Sequence, residues 1–94
     1  QEELNRATSD KERCLVYPNP ASDQIRIHLV VKKASIVQFS VFNVTGQLLL
    51  SSQESAIEGS NEYHLKITSL SPGIYYLETN DGANISRTKL IVER

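Results

Sequence analysis

Between Ser71 and Val92 the sequence reads S-P-G-I-Y-Y-L-E-T-N-D-G-A-N-I-S-R-T-K-L-I-V, which specifies a β-hairpin with its own start, reversal and finish. Ser71-Pro72-Gly73 is turn chemistry, and Ile74 to Asn80 is rich in β-branched and aromatic residues. Asp81-Gly82 favours a tight hairpin turn, and Asn84 to Val92 returns as a second strand. The chain is thereby committed to antiparallel β-structure. The pattern finishes two residues before the sequence does, which predicts that no further domain follows it.

The remaining strands follow from alternation, because successive side chains of a strand point to opposite faces. Ile25, Ile27, Leu29 and Val31 share one face, with Gln24, Arg26 and His28 on the other. Ser35 to Val44 repeats the pattern, placing Val37, Phe39 and Val41 inward and Phe42 outward. Asn43-Val44-Thr45-Gly46 is the reversal, and Gly46 supplies positive φ there cheaply. Gln47 to Ser51 is the return strand, with Leu48-Leu49-Leu50 leaving its facing open, and the polar run Ser52 to Ser60 is expected to be the longest loop. Asn61 to Thr68 directs Tyr63, Leu65 and Ile67 inward, and Leu70 plugs the edge of the core. In the terminal hairpin Tyr75, Leu77, Leu90 and Val92 are inward and Tyr76 is outward.

Cys14 to Tyr17 is a short first strand that Pro18-Asn19-Pro20 ends. Neither proline can donate to a ladder, and the residues before them, Tyr17 and Asn19, are pushed towards extended backbone. Residues 1–13 carry only Leu4 and Ala7 as apolar side chains, which predicts a polar linker following something larger in the full polypeptide. Seven short strands with turns between them predict an all-β domain over residues 14–94, a seven-stranded antiparallel β-sandwich. An open five- or six-stranded barrel is the competing arrangement. No tryptophan and no cysteine pair are present, so "immunoglobulin-like" can describe only the architecture.

Composition narrows the chemistry. A net charge of −1 gives no reason to expect nucleic acid as a partner, and no apolar run approaches the length of a membrane span, so no membrane insertion is expected. Nor does a basic stretch followed by an apolar one open the sequence as a signal peptide would. His28 and His64 fall on solvent faces, the carboxylates are scattered, and no metal-ligand or nucleophile spacing occurs. The expectation is no catalytic residue, no metal and no cofactor. Phe42 and Tyr76, two outward rings, offer a platform for an accessory adhesion or carbohydrate-binding module as an alternative function.

The order of four motifs is more specific than any one. Tyr17-Pro18-Asn19-Pro20 stands near the start, Val41-Phe42-Asn43-Val44-Thr45-Gly46-Gln47 in the middle, Leu70-Ser71-Pro72-Gly73-Ile74-Tyr75 next, and Lys89-Leu90-Ile91-Val92 last. Together they resemble the C-terminal sorting domain of type IX (Por) secretion cargo proteins. The resemblance implies a non-enzymatic signal domain attached to an upstream cargo that reaches the periplasm by a separate leader. An outer-membrane type IX translocon would read the domain, and a sortase-like peptidase would remove it in or just before residues 1–13, leaving the cargo at the cell surface or secreted. The signal residues carried over are Pro18, Asn19, Pro20, Asn43, Gly46, Gly73, Tyr75, Lys89, Leu90, Ile91 and Val92. Asn43 stands where the family often has Asp, and Gln47 where it often has Lys or Arg. A closing strand with a basic and apolar end would offer a receptor a β-edge.

Overall fold

The computed structural model describes residues 14–94, so the linker expected over residues 1–13 lies outside the described residues. Seven strands follow one another: β1 (Cys14–Tyr17), β2 (Gln24–Val31), β3 (Ser35–Asn43), β4 (Leu48–Ala56), β5 (Gly59–Lys66), β6 (Gly73–Asn80) and β7 (Ile85–Val92). They form two separate sheets, β1-β2-β5 and β4-β3-β6-β7, rather than an open barrel. Every pairing between named strands is antiparallel. A single parallel bridge joins Ala21 to Val92, where the chain leaving β1 comes to lie beside β7 of the other sheet.

Alternation set the faces correctly. Ile25 and Ile27 are fully buried, as are Val37, Val41 and Leu90, and one apolar cluster takes its members from both sheets. Phe39 of β3 meets Tyr63 of β5 edge to face, with ring centroids 5.1 Å apart, so this pair spans the two layers. Leu70 is buried as expected. Cys14 is a buried free thiol at the core margin, its Sγ–H donating to Thr79 Oγ1 at 3.7 Å.

Two connections differ from the sequence expectation. The run Ser52 to Ser60 is not a loop: β4 continues to Ala56 and β5 begins at Gly59, leaving only Ile57 and Glu58 between them. β4 is an edge strand whose inward positions cover little core, so its second half needs almost no apolar residues and its sequence looks like a loop. The leucine run hides a bulge, because Val41 opposes Leu50 while Phe42 opposes Leu48, and Leu49 is the extra residue. The second difference is the β6–β7 reversal, which spans Asp81 to Asn84 rather than turning on Asp81-Gly82 alone. Asp81 Oδ1 accepts from the amides of Ala83 and Asn84 at 2.9 and 2.6 Å, and Asn80 Oδ1 accepts from Gly82 at 2.8 Å. These side chains satisfy a wider loop, in which Gly82 takes φ 91°.

Tyr63 also closes the gap between the layers from the β5 side, donating its hydroxyl to Ser55 O of β4 at 2.8 Å. Burial, and secondarily the Glu54 charge, raise its pKa above the ordinary 10.0. The fold therefore favours the neutral phenol. Its contribution is complete below 10.0, where neither state has ionised, and is lost as pH rises through the higher folded value, because the unfolded chain ionises first. Urea midpoints measured through the alkaline range should fall more steeply for the native chain than for Tyr63→Phe.

Candidate functional site

The four motifs that lie far apart in sequence come together at one end of the β4-β3-β6-β7 sheet. β3 ends where β6 begins and β7 finishes, with Asn43 opposite Tyr75 and Tyr75 opposite Leu90. Gly73 opposes Val92, and Ala21, next to the proline elbow, bridges Val92 from the other side.

The elbow itself is fastened to the last strand. The Asn19 amide donates from Nδ2 to Lys89 O at 2.8 Å and accepts at Oδ1 from the Ile91 amide at 3.0 Å, so one side chain imitates a neighbouring strand. Ala21 continues the seam, its amide donating to Ile91 O and its carbonyl accepting from the Glu93 amide, both at 2.8 Å. Peptide bonds 17–18 and 19–20, each preceding a proline, are cis. Pro18 and Pro20 flank Asn19 in the exposed segment that leaves β1. The edge of β7 from Lys89 to Glu93 is thus already occupied. The open β-edge expected at the chain's end is corrected to this extent: a receptor would find side chains there, with the backbone already bonded to Asn19 and Ala21.

Asn43 organises the neighbouring turn. Its Oδ1 accepts from the amides of Thr45 and Gln47 at 3.1 and 2.9 Å and from the Thr45 hydroxyl at 2.8 Å. Its Nδ2 donates to Gln47 Oε1 at 3.1 Å, so Gln47 is a turn partner here. Gly46 holds φ 90°, a conformation that side chains with a Cβ rarely adopt. On the next strand Tyr75 is buried and donates its hydroxyl back to Ser71 O at 2.6 Å, which anchors the crossover into β6. Arg94 secures the far side of that crossover, with its guanidinium donating to Leu70 O and, at 2.8 Å, to Ile67 O.

The residues that the resemblance marks out divide by face. Tyr75, Leu90 and Val92 point into the core. Lys89 is exposed and Ile91 half-buried on the outer face. There the strand register sets Leu48, Phe42, Tyr76 and Lys89 in one row across four strands, with Ile74 opposite Ile91 beside it. The two outward rings are therefore direct cross-strand neighbours on the same face as the outward part of the terminal motif. Ile74 and Leu48 are themselves exposed, so the surface is an apolar patch with Lys89 at its rim.

Sequence reasoning missed Arg87, whose guanidinium carbon lies 5.8 Å from the Phe42 ring centroid while Nη2 bonds Glu78 Oε1 at 2.6 Å. Continuing the alternation from Lys89 back along β7 would have placed it on this face. It missed Ile74 in the same way, two residues before Tyr76. Asn19 is recognisable from sequence only as an extended residue before a proline, and nothing near it signals a partner on β7. Among the described residues no group of His, Cys, Asp or Glu is arranged to hold a metal ion, and no helix is long and apolar enough to cross a membrane.

No curated protein matches the sequence. A mutant beta-glucosidase from Listeria innocua, solved in complex with laminaribiose, is similar at 11% identity with a TM-score of 0.46. The similarity takes in 85% of this chain and 15% of that one, so the chain spans a small part of that enzyme's length. The family model described as a secretion system C-terminal sorting domain matches residues 15–93, which hold all four motifs and nearly all of the described residues: the chain belongs to that family of sorting domains.

Proposed function

We propose that residues 14–94 are the address by which a cargo joined through residues 1–13 is taken across the outer membrane by the type IX secretion system. In this reading the translocon reads the outer face at the motif end, and Phe42, Tyr76, Ile74, Lys89 and Ile91 are the contacts. Pro18, Asn19, Pro20, Asn43, Gly46, Gly73, Tyr75, Leu90 and Val92 hold that face in shape. A sortase-like peptidase then separates the domain from its cargo, which stays at the surface or is released. The observation that carries the reading is the convergence, in a member of a sorting-domain family, of all four motifs at one end of one sheet.

An immunoglobulin-like plan is part of the proposal. The order β1-β2-β5 against β4-β3-β6-β7 corresponds to strands A, B, E against C′, C, F, G. The Tyr75 hydroxyl bonded to Ser71 O corresponds to the tyrosine that pins the corner before strand F in such domains. The adhesion or carbohydrate-binding alternative would use the same rings, but the family favours the address.

The test is a periplasm-directed fluorescent protein carrying the 94 residues at its C-terminus, in a type IX-competent cell. The reporter should appear outside the cell. Phe42→Ala with Tyr76→Ala and Lys89→Ala should retain most of it in the periplasm while the domain still melts cooperatively. A native fusion that stays inside would overturn the address, and a triple variant exported normally would overturn the assignment of the face.

A further inference from the structure

Among the described residues four strands have an outer edge, and three are closed to further pairing by devices of the kind that keep sheets from joining. β1 is four residues long and runs into two prolines. β5 sets exposed Glu62, His64 and Lys66 along its length. β7 is covered by Asn19 and Ala21 at one end and carries Arg87 and Lys89 before it. β4 is different. It is nine residues long, L-L-L-S-S-Q-E-S-A, with no lysine, arginine or proline and with Glu54 as its one charge. Its bulge lies at the Leu49 end, leaving Leu50 to Ala56 in regular register with β3.

We propose that this edge pairs with the same edge of a second copy of the chain, antiparallel about a two-fold axis at Gln53. Alternate residues of an antiparallel strand direct both backbone groups to one side. Ser55 O, which accepts the Tyr63 hydroxyl from off the β3 ladder, identifies the outward set as Ser51, Gln53 and Ser55. A carbonyl has two lone pairs, so this bond leaves Ser55 O able to accept another.

The register about Gln53 is self-complementary, as a two-fold interface requires. Gln53 meets its own copy, and side-chain amides both donate and accept. Ser51 faces the partner's Ser55, Leu50 faces the partner's Ala56, and Glu54 faces the partner's Ser52, so no like charges oppose one another. The same register carries Leu49 onto the partner's Ile57. Those two side chains are 38% and 67% exposed in the single chain, and pairing gives both an apolar neighbour. A lone strand seam is smaller than the roughly 1,200 Å² typical of stable complexes, which makes the dimer weak and concentration-dependent.

Sedimentation of the 94-residue chain from micromolar to millimolar concentration tests this. The average mass should rise towards that of two copies. Gln53→Lys and Gln53→Glu each set like charges across the axis and should weaken the dimer about fivefold, and mixing the two variants should restore it. Far-UV spectra should be unchanged, because residue 53 lies on the solvent face of β4. A native chain that stays monomeric throughout, a dimer equally strong in both single variants, or a mixture no stronger than its components would each overturn the proposal. None of these outcomes bears on the address reading, which the export assay tests separately.

Discussion

Removing residues 89–94 is expected to unfold the domain as well as to keep a fused reporter in the periplasm. Leu90 and Val92 are buried to the last per cent, and such side chains contribute about 1.5–3 kcal/mol each. The deletion also takes away the hydrogen bonds that Lys89, Ile91 and Glu93 share with the elbow, and those of Arg94 to Ile67 and Leu70. Hydrogen bonds from a charged donor add about 1.5–3 kcal/mol. A domain of this length has roughly 4–12 kcal/mol in all. The truncated chain should therefore show no cooperative melt, and failed export of the truncation cannot by itself identify contacts. The outer-face variants separate the two effects because they leave Leu90, Val92 and the Asn19 seam in place. A truncated domain that retained a native-like melting transition would contradict this account of what holds β7.

Phe39→Ala is the single substitution expected to cost most. Phe39 is among the largest fully buried side chains, and it pairs Ser52 on one side and Thr79 on the other at the middle of its sheet. Truncating such a ring costs about 3–5 kcal/mol through lost transfer energy and the cavity left behind. Its edge contact with Tyr63 at 5.1 Å adds to the loss, because aromatic pairs are worth about 0.5–1.5 kcal/mol beyond their burial. Urea denaturation should show the midpoint falling by a large part of its native value with the slope little changed. By comparison Phe42→Ala, on the opposite face of the same strand, should cost far less, since Phe42 is only half-buried. Equal costs at 39 and 42 would mean that the inward and outward faces of β3 have been confused.

The faces of β2, β3, β6 and β7 could be read from the sequence because each has one wet and one dry side, which turns strand periodicity into alternating polarity. β4 could not be read that way, since an edge strand needs few apolar residues and its leucine run contains a bulge that resets the alternation midway. Turns were recognisable by composition but not by size: Asp81-Gly82 is a reversal signal, and the four-residue loop it belongs to depends on which amides the Asp81 and Asn80 side chains can reach. At the motif end the alternation sorted Tyr75 from Tyr76 and Leu90 from Lys89. The meeting of Asn19 with Lys89 and Ile91 was invisible, because it is a tertiary contact between residues 70 and 72 positions apart.

That contact has a consequence for timing. Within residues 14–94 the ribosome delivers the proline elbow before β2 and β7 after the six other strands, yet each supplies half of the same seam. A polypeptide interrupted before β7 cannot close it. If the export apparatus accepts only the closed form, a domain that lacks β7 is rejected without a separate inspector, because the seam itself reports that both of its halves are present.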